Sequence, residues 1–269
     1  MLHSILYEFY STLKEWKLVL AGSNDSDFAR AEKLIFKVAE NKIEELKLSS
    51  ALTFYEKEKI LGIEGNKRNS ILYKFLNEER DSRDGFIPQY FEMSFGDVKN
   101  PKGEKLSGNK KFKAAGVNVR GKIDRVDLNE TEKTIKVIDY KLTGRKPAKN
   151  DLLTGISLQL PLYLYAAKKL INAELNENYD PSGSEIYSLK FNEKDFGPKL
   201  IRSDNSRSYD KDRLIEMSGE MINVCLGSIE KYVDQISSGK FNLTTLEDRE
   251  NKVCGYCSFR SICRIQEID

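Results

Sequence analysis

A chain of 269 residues, 39% hydrophobic and 32% charged, can bury a sizeable core and is too apolar to be disordered. With 44 Lys and Arg against 42 Asp and Glu the net charge is only +2, so attraction to nucleic acid must come from local clusters of cations. No apolar run approaches the roughly 20 residues that span a bilayer. The start, Met1-Leu2-His3-Ser4, lacks the basic stretch and cleavage site of a secretory signal, so a cytoplasmic protein without a membrane partner is expected.

Leu2, Ile5, Leu6, Phe9, Leu13 and Trp16 recur at helical spacing and predict an amphipathic first helix, which Gly22-Ser23-Asn24-Asp25 interrupts. From Asp27 to about Arg80 the sequence is charged, poor in glycine and helical in period, with stripes at Ala31, Leu34, Ile35, Val38, Ile43 and Leu46 and at Ile71, Leu72, Phe75 and Leu76. The texture changes at Phe86-Ile87-Pro88. Tyr90–Phe95, Val117–Val126 and Thr134–Leu142 are β-rich runs bounded by turn formers and read as strands, the last two joined as a hairpin through Asp127–Lys133. Ser157 to about Ala173 reads as an apolar helix whose Pro161 must lie in the first turn. Strands are predicted at Glu185–Phe191 and Leu200–Ser203, and a long amphipathic helix at Asp210–Ser237, stopped by Gly239. Helices and strands in this order give an α/β fold with a mixed sheet.

The stretch that carries chemistry is Gly121-Lys-Ile-Asp124-Arg125-Val-Asp127, followed by Val137-Ile-Asp139-Tyr140-Lys141. Alternate strand residues share a face, so Asp139 and Lys141 point the same way, and hairpin pairing brings Asp124 towards Asp139. Two converging carboxylates make a hard oxygen site suited to Mg²⁺ or Mn²⁺. The adjacent ammonium can hold the attacking water and neutralise a phosphoryl oxygen. A bare Asp-x-Lys is a weak signal, but this one follows the apolar Ile135, Val137 and Ile138, where an unpartnered charge is costly. Lys110, Lys111 and Lys113, and then Lys141, Arg145, Lys146 and Lys149, are local cation clusters, the first read as a solvated loop in preference to a phosphate site. Arg125 can meet phosphate or pair with Asp127.

Together, Gly-Lys-Ile-Asp124-Arg-Val-Asp, Ile-Asp139-Tyr-Lys141-Leu-Thr-Gly144 and Gln159-Leu-Pro-Leu-Tyr163 resemble, in order and spacing, the motifs of the RecB-like nucleases of the PD-(D/E)xK superfamily. The resemblance implies a restriction-endonuclease-like core, a central mixed sheet flanked by helices, with a helical insert. It implies Asp124 and Asp139 as metal ligands with the Tyr140 carbonyl, and Lys141 as catalytic. Gln159 and Tyr163, four apart on one helix face, would orient the lysine and the DNA; the alternative is an ordinary buried hydrogen bond and core packing. His3 matches a further metal ligand of the family, against a plain surface histidine. Glu92 matches a glutamate beside the site, against the polar face of an alternating strand. One domain is expected over 1–269: a helical insert at 17–85, a catalytic core at 86–205, and a helix and cysteine tail at 206–269.

Of four cysteines, Cys254, Cys257 and Cys263 crowd the C-terminus and resemble the late triplet that, with one early cysteine, holds a [4Fe–4S] cluster in the iron–sulfur members of the family. The early cysteine precedes the histidine-bearing helix, which here starts at residue 1; a fragment of a larger helicase–nuclease subunit is therefore expected, with the cluster incomplete in this chain, the alternative being a tail that holds zinc or free thiols. Cys225 reads as a small core residue. The resemblance implies a metal-dependent DNA exonuclease acting on single-stranded ends in recombination or repair. Any motor must belong to a helicase partner, since no Gly-x-x-x-x-Gly-Lys-Ser/Thr loop occurs here. The competing expectation is an inactive DNA-binding or scaffold subunit of such a complex.

Overall fold

The computed structural model describes residues 1–45, 51–98, 111–142, 146–191, 194, 196–204, 210–244, 246–263 and 265. Leu46, Lys110, Gly144 and Arg145, named above, lie outside the described residues. The chain forms two compact units, Met1–Ser228 and Ile229–Asp269.

In the first unit a five-stranded sheet runs in the order β1 (Ile87–Phe95), β4 (Gly121–Asn129), β5 (Thr134–Lys141), β6 (Asp180–Ser188), β7 (Gly197–Leu200). Neighbours are antiparallel except β5 and β6, whose parallel pairing requires a crossover. That crossover carries the short α5 (Lys149–Leu153) and α6 (Gln159–Leu175), with Pro161 in the first turn as expected. β5 is buried along nearly its whole length, as a central strand covered on both faces must be.

One face is covered by α1 (Leu2–Glu15), α2 (Asp25–Glu45) and α4 (Ile71–Asp81), which bury Ile5, Phe9, Ile35, Leu72 and Phe75 against Phe91, Ile138, Tyr140 and Tyr187. α4 starts cleanly because the Ser70 hydroxyl accepts from the Tyr73 N–H at 3.0 Å. Between α2 and α4 lies α3 (Ala51–Leu61). The other face packs Val126, Val137 and Ile186 against Leu164 and Ala167 of α6 and Met217 and Met221 of α7 (Lys211–Ser237).

Several sequence expectations need correction. Val117–Val126 is not one strand: β3 (Val117–Val119) pairs with β2 (Phe112–Ala114) in a separate two-stranded ribbon, and β4 starts at Gly121 after a break at Arg120. β6 begins five residues earlier than Glu185, since pairing along β5 carries it through Pro181 and Gly183 despite their low strand propensity. β7 precedes the predicted Leu200–Ser203 rather than coinciding with it. Trp16 ends α1 and is 43% exposed instead of completing the apolar stripe.

The second unit contains the end of α7, α8 (Arg249–Lys252) and a single turn of 3₁₀ helix at Cys254–Tyr256, with an Arg260–Glu250 ion pair at 2.9 Å. Among the described residues no helix is long and apolar enough to cross a membrane.

Candidate active site

β4 and β5 set the geometry. The β4–β5 ladder ends at Arg125 opposite Ile138, and Asp124 and Asp139 lie just beyond it, near enough for the Asp124 charge to act on Asp139. Asp124 is 9% exposed; its Oδ2 accepts the Tyr140 N–H at 2.9 Å and its Oδ1 lies 3.4 Å from His3 Nδ1. His3 Nε2 lies 3.2 Å from the Tyr140 carbonyl oxygen. The start of α1 thus meets the end of β5 and the start of β4.

Glu92 completes the cluster. One ligand atom each from His3, Glu92 and Asp124 lie within 4.8 Å of one another, an arrangement that can hold a metal ion. Glu92 has φ +52, in the left-handed region that glutamate rarely adopts. The strand changes faces there: Phe91 and Arg125 lie on the α1 side, whereas Met93 and Ile123, two residues away, lie on the α6 side. A regular strand would keep them on one face.

Asp139 and Lys141 face α6. Lys141 Nζ is 2.8 Å from Asp139 Oδ2, Gln159 Nε2 donates to Asp139 Oδ1 at 3.2 Å, and the same nitrogen reaches the Tyr163 hydroxyl at 3.2 Å. Tyr163 stands edge-on to Phe95, and Gly121 lets both rings approach: a Cβ there would lie 2.6 Å from Phe95 and 3.0 Å from Tyr163.

The electrostatics are those of crowded acids. Burial, with the neighbouring Asp124 charge, pushes the Asp139 carboxyl up against the opposing pull of Lys141. The hydrogen bond to Asp124 raises the His3 imidazole above its usual value although burial opposes it.

Arg125 turns away from this cluster. Its guanidinium, 5% exposed, is held by both Asp127 oxygens at 2.6 Å and by Glu79 at 2.8 Å, and it donates to the Tyr10 hydroxyl at 2.8 Å. Pairing with Asp127, not phosphate contact, is its arrangement. Sequence reasoning missed Tyr10 and Glu79, which lie far away in sequence. It also missed Lys122, whose ammonium pairs with Glu92 and whose position just before Ile123-Asp124 was the available signal. Cys225 is buried, its thiol 3.5 Å from the Leu158 carbonyl and pushed up to about 11 by burial. Cys254, Cys257 and Cys263 are free thiols in the second unit.

A helix-flanked mixed sheet with acids gathered at the meeting point of its central hairpin, beside a strand-borne Asp-x-Lys, is the architecture of a nuclease class. The profile of the PD-(D/E)XK nuclease superfamily matches residues 1–264, and the chain belongs to that superfamily. The chain is similar to an ATP-dependent helicase/deoxyribonuclease subunit from Clostridium botulinum (strain Okra / Type B1), 26% identical over 321 residues that take in 98% of this chain and 26% of that protein. The protein of the same name from Carboxydothermus hydrogenoformans (strain ATCC BAA-161 / DSM 6008 / Z-2901) is 26% identical over 233 residues, 68% of this chain and 20% of that protein. The chain thus spans about a quarter or less of the relatives it matches.

Proposed function

We propose that this chain is the metal-dependent deoxyribonuclease domain of a cytoplasmic helicase–nuclease, an exonuclease that hydrolyses phosphodiester bonds of single-stranded DNA ends in recombination and repair. The observation that carries the reading is the convergence of His3, Glu92 and Asp124 at the start of the Asp139–Lys141–Gln159 chain. Hard oxygen and imidazole donors, beside a carboxylate pushed up by burial and by the Asp124 charge, fit a divalent cation such as Mg²⁺ or Mn²⁺. His3, Glu92 and Asp124 would hold it, with the Tyr140 carbonyl at hand and Asp139, the further ligand that the resemblance implies, beside them on Lys141 and Gln159. When bound, such a cation polarises a phosphate and lowers the pKa of water.

The chain's own residues do the rest. Lys141, tethered by Asp139, offers an ammonium to the attacking water and to a developing phosphoryl charge. Gln159 fixes the other Asp139 oxygen and is itself positioned by Tyr163. Cys254, Cys257 and Cys263 supply three of the four thiolates that a [4Fe–4S] cluster takes, and Cys225 is an inert core thiol. These residues do not complete a four-cysteine site, and no step runs through a cluster.

End-labelled linear DNA with Mg²⁺ or Mn²⁺ tests the reading. Cleavage should stop with EDTA and fall about 10²-fold or more in Asp124→Ala and Lys141→Ala. Cleavage unaffected by EDTA, or metal-independent DNA binding without any cleavage, would overturn it, the latter in favour of a scaffold role.

A further inference from the structure

On the α1 side of the sheet, away from the Asp139–Lys141 face, a cavity of about 340 Å³ opens between the end of α1, the following Lys17–Ala21 segment, the end of α4 and the start of β1. It sits at the small end of ligand pockets, which run from about 300 to 1,000 Å³. Its walls include Leu13, Leu18, Leu20, Phe86 and Phe91.

Beneath those apolar walls lie charges. Two buried carboxylates, Glu79 and Asp127, the partly buried Glu185 and the half-exposed Asp84 face only two buried cations, Arg125 and Lys136. Arg125 is already committed to Asp127, Glu79 and Tyr10, and Lys136 to Asp84 at 2.5 Å and Glu185 at 3.4 Å. At the exposed rim Glu78 stands against Lys14 and Lys17, one solvated positive charge in excess, which only partly offsets the two surplus carboxylates below. Neither buried cation is left to receive an anion.

Acceptor capacity is left over instead. Glu185 Oε2 has only the 3.4 Å ion pair with Lys136 and accepts no hydrogen bond, and the hydroxyl of Tyr187, 1% exposed and also lining the cavity, makes none either. Buried acceptors left unsatisfied are costly, and a cluster with more carboxylates than cations calls for a further positive donor. Burial pushes the Asp127 and Glu185 carboxyls up, despite Arg125 and Lys136 beside them.

We propose that this cavity binds an alkyl cation, a guanidinium or ammonium on an apolar stem, whose head meets Glu185 and Tyr187 and whose stem packs against Leu13, Leu18 and Phe91. The head can belong to a free small molecule or to an Arg or Lys side chain of another protein segment; the recognising chemistry is the same. The inference does not depend on the nuclease reading.

Isothermal titration of the whole 269-residue chain, in EDTA so that the metal centre plays no part, tests it with n-butylguanidinium and its neutral isostere n-butylurea. The guanidinium should saturate with a Kd on the order of millimolar, as befits a fragment of that size, and the urea should bind about tenfold more weakly or not at all. Glu185→Gln should weaken the guanidinium about tenfold, and Tyr187→Phe, which removes only a hydroxyl, about threefold. Binding of N-acetylarginine N-methylamide at similar strength identifies a protein side chain as the source; binding of the free cation alone identifies a small molecule. Equal affinity for guanidinium and urea, or no saturable binding of either to the unmodified chain, overturns the proposal whether or not the variants fold.

Discussion

Replacing Arg125 with methionine removes the one group that holds Asp127, Glu79 and Tyr10 together. Asp127 is 1% exposed and Glu79 9%, so the change leaves two carboxylates facing each other away from water. Removing one partner of a buried ion pair costs about 3–5 kcal/mol, a large part of the ~5–15 kcal/mol that keeps a domain folded. With a urea m-value of about 3 kcal/mol/M, the midpoint should fall by roughly 1–1.7 M. Adding Asp127→Met and Glu79→Leu should recover most of the loss, because a matched apolar set has no stranded charge. The single variant's deficit should also shrink below about pH 5, where stranded carboxyls protonate in place. Urea unfolding followed by circular dichroism at pH 7 and pH 4.5 measures all three. A deficit under about 1 kcal/mol at pH 7, or one unchanged at pH 4.5, would refute the assignment of Arg125 as a buried clamp.

Two further outcomes follow from local geometry. Gly121→Ala puts a methyl into the Phe95 and Tyr163 rings, and overpacking of this kind costs about 1–3 kcal/mol; thermal unfolding reads the loss, and cleavage should fall with it as Tyr163 is pushed from Gln159. Although burial raises the Asp84 carboxyl, Lys136, the Phe86 N–H and the Ser82 hydroxyl outweigh it and hold it below the usual carboxylate value. A depressed carboxyl stabilises the fold above its unfolded pKa and loses that contribution as pH falls through the folded one. The urea-midpoint advantage of the native chain over Asp84→Asn should therefore be full at pH 7 and vanish as pH drops below about 4.

The strands that carry Asp124 and Asp139 were legible because their polar residues interrupt apolar β runs at period two, a local pattern that needs no knowledge of the partner helix. His3 and Gln159 were legible only through their place in a motif order, since nothing in their neighbours' composition sets them apart. Arg125 was ambiguous: its partners Tyr10 and Glu79 are 115 and 46 residues away, and no short window contains them. The break at Arg120 and the early start of β6 were hidden for the same reason. Pairing with β2 and β5, not intrinsic propensity, decides where those strands run.

The turn of β1 at Glu92 is where local rule and site conflict most sharply. Residues from α1 and from β4 can reach one point only if the strand pair changes faces there, and the backbone does so by holding a glutamate at φ +52. A side chain in that region costs about 1–2 kcal/mol that glycine avoids, though glycine gives back part through chain entropy. Glu92→Ala and Glu92→Gly both remove the carboxylate, so any difference between them reports the backbone alone. The glycine variant should be the more stable by about 0.5–1 kcal/mol, while Mn²⁺ titration should find both equally weakened in metal binding. That combination would mean that strain is kept at this position for the sake of the carboxylate. If alanine proves as stable as glycine, the left-handed turn is not what carries the strand from one face to the other, and the convergence of His3 with Asp124 needs another cause.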